Sequence, residues 1–282
     1  MNILNDMMKW RFWRHFFLNF FACAGAISAT LQFTNILFPA WTYFQGIHTL
    51  LAVILISLVV GLFLSWPRPI EAAYNAPNMR IRIIKGDILK QNEHLVVGTC
   101  DTFDTETPII AKESLQGQAL DVLFGGDRRD LDEKLSAALH GKAIEGKIDK
   151  EGKTQLYGIG SVAVVKHGGR NIFFLAYCRM NQSNEARASI DDVWKSLLSL
   201  WGAISTHGNG KSVSIPVIGG GQARLSSVLP AQDSIRFIIL SFMFASRKEK
   251  ICDELRIVVR DRDYEKLDRL ELQSFLSSLR PS

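Results

Sequence analysis

Apolar and charged residues divide the chain into two very different parts. From position 15 to position 67 there is no Asp, Glu, Lys or Arg, whereas beyond it charges recur every few residues. A bilayer's hydrocarbon core takes about 20 apolar residues of helix. Residues 16–38 supply one such stretch and residues 47–66 (IHTLLAVILISLVVGLFLSW) a second. The short segment between them, PAWTYFQG, carries aromatics suited to a membrane interface. The pattern predicts two membrane-spanning helices. A buried helical hairpin is the alternative, and it would need the rest of the chain to cover every side of both helices. The first stretch is too long for a cleaved leader, and a second span follows it directly.

After position 67 the periodicity changes. Residues 67–78 read as a linker, closed by Pro77. MRIRIIK at 79–85 alternates apolar and basic positions and predicts a strand. HLVVGT at 94–99, residues 160–166, NIFFLAYC at 171–178, and residues 255–260 predict further strands. KSVSIPVI at 211–218 is nearly continuous in apolar character, as expected of a central parallel strand. Helical spacing marks residues 131–140, 186–206, 231–244 and 264–279. In the second of these, Ile190, Val193, Leu197, Leu200 and Ile204 share one face. Strands alternating with helices predict an α/β fold: two N-terminal transmembrane helices, then a three-layer α/β/α domain with a mixed, mostly parallel sheet. The expected organisation is a cytoplasmic basic N-terminus at 1–15, a transmembrane hairpin at 16–66, the linker, and a ligand-binding domain at 79–282.

Charge adds an orientation. Lys9, Arg11 and Arg14 precede the first span, Arg68 and Arg80 follow the second, and the connecting loop has no basic residue. The excess of Lys and Arg beside both outer ends places both termini in the cytoplasm. The net charge of +5 and pI near 9.0 need no nucleic-acid partner. The basic residues are dispersed without an aromatic ladder, and a cytoplasmic membrane face is itself anionic. Cys23, Cys100, Cys178 and Cys252 show no C-x-x-C spacing, and the six histidines form no H-E-x-x-H. Reduced thiols and no metal cofactor are the expectation.

Ligands of open α/β sheets sit beyond the carboxyl ends of the strands, and two segments there look chemically prepared. Ile218-Gly219-Gly220-Gly221-Gln222-Ala223-Arg224 follows the apolar strand and precedes a helix. Glycines let backbone N–H groups converge on an anion, and a helix N-terminus adds favourable charge. A phosphate cradle and a plain tight turn both fit this run. Lys85-Gly86-Asp87-Ile88 is by itself an ordinary strand end with an Asp cap. Gly208-Asn209-Gly210-Lys211-Ser212 superficially matches the end of a P-loop. Ser205 stands where its first glycine is needed, and a helix precedes it where a strand should.

In order, Gly86-Asp87-Ile88, the strand LVVGT, GIGSVAVV at 158–165, NIFFLAY, the long helix, SVSIPVIGGGQARL and LRIVVRD resemble the macro domain family from about position 79 to 279. The resemblance implies a macro-like fold that binds ADP-ribose. It implies that Asp87 accepts from the adenine amino group while the N–H of Ile88 meets the ring. It assigns the diphosphate to Gly219, Gly220 and Gly221, with Gln222 and Ala223 continuing the loop. Arg224 either pairs with phosphate or stays solvated. Hydrolysing members carry N-A-A-N where this chain has Gly98-Thr99-Cys100-Asp101, so the usual catalytic asparagine is missing. Nothing in the sequence marks the pKa of Asp101 as shifted. Thr99, Asp101 and Asn181 become candidates for the far end of the ligand, with Gly117 in the loop SLQGQA at 114–119.

Two spans joined to this variant are similar, more narrowly, to the transmembrane macro effectors of Thoeris antiphage defence. That resemblance implies a non-enzymatic receptor in the bacterial inner membrane. Its ligand would be a nucleotide second messenger, an amino-acid conjugate of ADP-ribose made by a TIR-domain enzyme. Its output would be disruption of the lipid bilayer and abortive infection. A membrane-tethered ADP-ribosyl hydrolase using Asp101, or a reader of ADP-ribosylated proteins, is the alternative. Asn19, Ala22, Ala26 and Ala29 fall on one side of the first span, and close helix approach there serves either a homo-oligomer or packing of the two spans on each other.

Overall fold

The computed structural model describes residues 10–40, 46–66, 69–219, 225 and 228–280. The chain forms two compact units, 1–68 and 69–282.

In the first unit, α1 (Trp10–Leu37) and α2 (Ile47–Ser65) are both long and apolar enough to cross a bilayer. At 1.5 Å per residue the 19 residues of α2 reach about 28 Å, close to one hydrocarbon core. The helices pack on each other. Gly61 lies so close to Phe16 that a Cβ would stand 3.1 Å from its ring, and Asn19 Nδ2 donates to Ser65 Oγ at 3.4 Å. Asn19 therefore turns toward α2, while Ala22, Ala26 and Ala29 remain exposed. The single face expected from the helical wheel divides between two surroundings. Helix α1 already includes Trp10, inside the stretch expected as a basic tail.

The second unit is built on one sheet. Its strands are β1 (Ile70–Asn75), β2 (Asn78–Lys85), β3 (His94–Cys100), β6 (Val162–His167), β7 (Arg170–Met180), β8 (Ala186–Arg187), β9 (Val213–Pro216) and β10 (Glu254–Val259). The order is β1-β2-β10-β9-β3-β7-β6, with β8 on the end of β7, and β4 (Gly146–Lys147) pairs separately with β5 (Gln155–Leu156). From β2 to β7 every neighbour is parallel; β1 and β6 close the edges antiparallel.

Strand alternation splits the core in two. Along β7, Ile172, Phe174 and Ala176 face α3 (Leu115–Phe124) and α4 (Arg128–Leu139), where Leu131 and Leu135 are buried. Phe173 and Leu175 face the opposite layer, which contains Leu197 and Trp201 of α5 (Ile190–His207), Phe242 of α6 (Ala231–Ser246) and Leu272 of α8 (Arg269–Ser278). Trp201 Nε1 donates to Ser241 Oγ at 3.0 Å across α5 and α6. An indole N–H is rarely buried without such an acceptor.

Three expectations need correction. The segment 70–78 is not a linker: it is β1 and its turn, with Ile70, Ala72 and Tyr74 buried. The signal was present as alternation in IEAAYN, and Pro77 falls in the turn to β2. The long helix expected from 186 starts at Ile190, because Ser189 and Asp192 form a reciprocal capping box and Ala186–Arg187 pairs with β7 instead. The final helix, expected from 264, starts at Arg269 as α8, where Asp268 accepts from Glu271 N–H and caps it, and Tyr264 instead ends a separate short helix, α7 (Asp261–Tyr264).

Tyr74 makes β1 a structural strand. Its hydroxyl donates to Leu276 O at 2.7 Å, and burial pushes the phenol up to about 12, so it stays a neutral donor. Chemical denaturation of the full chain should show Tyr74→Phe costing about 1 kcal/mol and Tyr74→Ala about 3 kcal/mol or more. A residue in a mere linker would show no loss for either.

Candidate functional site

Parallel strands send their carboxyl ends to one edge of the sheet, and a cavity of about 1070 Å³ opens there. Its wall follows the strand order. Gly86, Asp87 and Ile88 leave β2, Val258 and Arg260 end β10, Pro216 to Gly219 end β9, and Gly98, Thr99, Cys100, Tyr177 and Cys178 end β3 and β7. The segment leading into α3, through Ser114 and Gln116, forms another side.

At the β2–β10 end, Asp87 is exposed and Ile88 is buried. Asp87 Oδ1 accepts from Leu89 N–H at 2.9 Å and caps a short 3-10 turn over Ile88–Lys90. Oδ2 has no hydrogen bond among the described residues, so one acceptor is left facing outward. Arg260 and Lys266 line the same end with no ion pair among the described residues. Sequence patterning did not single them out, because each sits in a mixed-charge run that reads as solvated surface.

At the β3–β7 end, the Tyr177 ring lies across Gly98. A Cβ on Gly98 would stand 2.5 Å from Tyr177 Cε1, so only glycine admits the ring. Burial raises the Tyr177 phenol well above its ordinary value, and its hydroxyl has no hydrogen bond among the described residues. Thr99 Oγ1 is buried and likewise without a partner. An unmet buried hydroxyl costs about 1–3 kcal/mol, which a polar ligand atom would recover.

Of the expected site residues, Asp87, Ile88, Thr99 and Gly219 line one cavity. Gly220, Gly221, Gln222, Ala223 and Arg224 lie outside the described residues. Asp101, Gly117 and Asn181 are not among the described lining residues. Asp101 ties strand ends together: its Oδ1 accepts from Met180 N–H at 2.9 Å, and its backbone pairs with Cys178 O and Tyr157 N–H. Burial raises its carboxyl pKa, opposed by the Met180 N–H. The shift that the sequence did not mark is explained by burial away from the cavity. Asn181 folds its side chain onto Ser183 N–H, Glu185 N–H and Glu185 Oε2. SLQGQA is the start of α3 and not a loop. Ser114 Oγ accepts from Gly117 N–H at 3.1 Å, and a Cβ on Gly117 would stand 2.5 Å from Ala111 O. Gly117 thus permits a backbone crossing.

The loop after β3 is held shut by a buried ion pair. Lys150 Nζ meets Asp104 Oδ2 at 2.8 Å with both side chains at 1% exposure or less. Thr102 Oγ1 adds a bond to the same oxygen at 2.5 Å, and Lys153 N–H one to Oδ1 at 2.7 Å. Gln116 Nε2 binds Asp104 O at 2.6 Å. Phe103, fully buried, holds φ at +53° in this loop. No group of three or more His, Cys, Asp or Glu among the described residues is arranged to hold a metal.

Comparison with known proteins bears on the family and the fold. Residues 81–260 match the family model described as Thoeris protein ThsA, Macro domain, which is more than half of the chain. The chain belongs to that family. It is 25% identical over 233 residues to the Thoeris protein ThsA of Bacillus amyloliquefaciens (strain Y2), covering 80% of this chain and 75% of that protein. Among solved structures, a point mutant of the Oceanobacillus iheyensis macrodomain aligns with a TM-score of 0.51 at 14% identity, over 75% of this chain and 96% of its own. The same organism's macrodomain with ADP gives 0.50 at 13%, over 74% and 97%. At these identities the likeness shows the fold: a macro fold with a mixed, mostly parallel sheet.

The ion pair yields a stability prediction. Asp104→Asn strands a buried ammonium and should destabilise the full chain by roughly 3–5 kcal/mol. The double change Asp104→Asn with Lys150→Met should recover most of that loss, because the amide oxygen still accepts from Thr102 or Lys153 and no buried charge remains. Equal stability of Asp104→Asn and the parent would show that the pair is not buried as described.

Proposed function

We propose that this protein is a non-enzymatic receptor-effector of the bacterial inner membrane, anchored by α1 and α2 with both termini cytoplasmic. The macro domain takes an ADP-ribose-derived nucleotide, an amino-acid conjugate made by a TIR-domain enzyme. Occupancy then drives the membrane helices, as a homo-oligomer, to disrupt the bilayer. The observation that carries this reading is the cavity itself. It offers an unused Asp87 acceptor at one end, Gly219 just after β9 in the middle, and unpartnered Thr99 and Tyr177 hydroxyls at the other. A carboxylate offers acceptors and no donor, which suits an adenine amino group. Membership of the Thoeris family supports the defence context, and the absence of charged side chains between residues 15 and 67 supports the anchor.

The alternative, hydrolysis of ADP-ribosyl bonds by Asp101, fits the site less well. Asp101 is buried with Oδ1 holding Met180 N–H, and the neighbouring carboxylate of Asp104 is paired with Lys150. A general base must reach the proton it removes, and neither residue is among the described lining residues.

The test is full-length protein in dye-loaded anionic vesicles, supplied with ADP-ribose or with amino-acid conjugates of it. A conjugate should release dye and be recovered chemically intact. Asp87→Ala should raise the conjugate concentration needed for release roughly 10- to 100-fold, and Gly220→Glu should abolish release. Turnover of the conjugate, lost in Asp101→Ala, would favour the hydrolase; dye release that persists in Gly220→Glu would remove the assigned site.

A further inference from the structure

The cavity wall contains a thiol pair that ligand binding does not explain. Parallel pairing of β3 and β7 runs in register from Leu95 opposite Ile172 to Thr99 opposite Ala176. Continued regularly, it would set Cys100 opposite Tyr177. An irregularity between Thr99 and Cys100 shifts the register, and Cys100 stands opposite Cys178. The two Sγ atoms are 3.0 Å apart. Both residues are buried, at 5% and 3% exposure, and both line the cavity. Cys178 Sγ also approaches Thr99 O at 3.4 Å. Neighbouring strands lie about 4.8 Å apart, within the Cα separation that a disulfide accepts, roughly 4.4–6.8 Å. Bulges that re-aim side chains recur beside functional sites. The other described cysteines, Cys23 and Cys252, are also free, and no hydrogen bond joins either of them to a second thiol.

We infer that Cys100 and Cys178 form a redox-sensitive dithiol whose oxidation to a disulfide restricts the ligand cavity. The chemistry needs a two-electron oxidant of the hydroperoxide class, reaching the sulfurs through the cavity. One thiol gives up its proton, and its sulfur attacks the O–O bond, which breaks to leave a sulfenic acid and one water. The second sulfur attacks the sulfenic sulfur and expels a second water. In sum, two S–H groups and one hydrogen peroxide become one S–S bond and two waters. The hydrogen bond with Cys100 and burial hold the Cys178 thiol well above its ordinary pKa, so little thiolate forms and the reaction needs sustained oxidant. Thiol reductants reverse the bond by thiol–disulfide exchange. Joining the strands at the bulge fixes Tyr177 against Gly98 and prevents β3 and β7 from yielding to an incoming ligand.

The effect on binding rests on the ADP-ribose reading above; the formation of the disulfide does not. Full-length protein in detergent would be treated with hydrogen peroxide, digested without reduction and mapped. A linked peptide pair containing Cys100 and Cys178 is expected, absent in Cys178→Ser. ADP-ribose affinity should fall about tenfold on oxidation, equivalent to about 1.4 kcal/mol, and return with dithiothreitol. The Cys178→Ser protein should show no peroxide effect. No linked peptide overturns the inference, and so does a linked peptide with unchanged affinity. Failure of the reduced protein to bind ADP-ribose at all would sink the proposed function and, with it, the control of binding, while the mapping still decides whether the pair oxidises.

Discussion

Five consecutive strands run parallel, and that constraint fixes almost everything else about the second unit. A parallel pair cannot be joined by a tight hairpin; each connection must cross back over a face of the sheet. Helices α3 and α4 therefore lie on one side and α5, α6 and α8 on the other. The sheet is buried on both faces, which is why NIFFLAYC and SVSIPVI read as near-continuous apolar runs. All five carboxyl ends reach the same edge, where their backbone ladders stop. Asp87, Gly219, Thr99 and Tyr177 are distant in sequence and share a cavity for that reason alone.

Within that frame the two ends of the cavity differ in chemistry. The β2–β10 end is rich in charge, with Asp87, Arg260 and Lys266. The β3–β7 end carries uncharged hydroxyls and thiols, and beyond it the loop after β3 closes on itself through Asp104 and Lys150. Breaking such a buried pair leaves an uncompensated charge, so the loop has little freedom to present a base. Asp104, Thr102 and Lys153 tie this loop to itself. The departure at Gly98-Thr99-Cys100-Asp101 was visible in the sequence; its consequence was not, because Lys150 lies 46 residues beyond Asp104.

Much of the architecture was legible because hydrophobic periodicity reports burial directly. The two apolar spans, the central strand at 213–216 and the long helix face from Val193 to Ile204 all appear where patterning put them. What failed was local. β1 was hidden by the prolines on either side of it, and α3 by the glycine and glutamines of SLQGQA, whose helical role depends on the Ser114 cap and the close crossing at Gly117. Asp87, Ile88, Thr99 and Gly219 were found because a motif brought them to attention. Tyr177, Cys100 and Cys178 carry no motif: they become notable through a one-residue shift in strand register, which no single sequence displays.

The central claim is that this cavity binds a nucleotide of the ADP-ribose class with Asp87 reading the base. Isothermal titration of the full chain in detergent with ADP-ribose tests it most directly. The account predicts saturable binding at one site per chain, weakened roughly 10- to 100-fold in Asp87→Ala, as expected for losing a hydrogen bond to a charged acceptor. No binding by a folded protein at millimolar ADP-ribose, or equal affinity in Asp87→Ala, would contradict it.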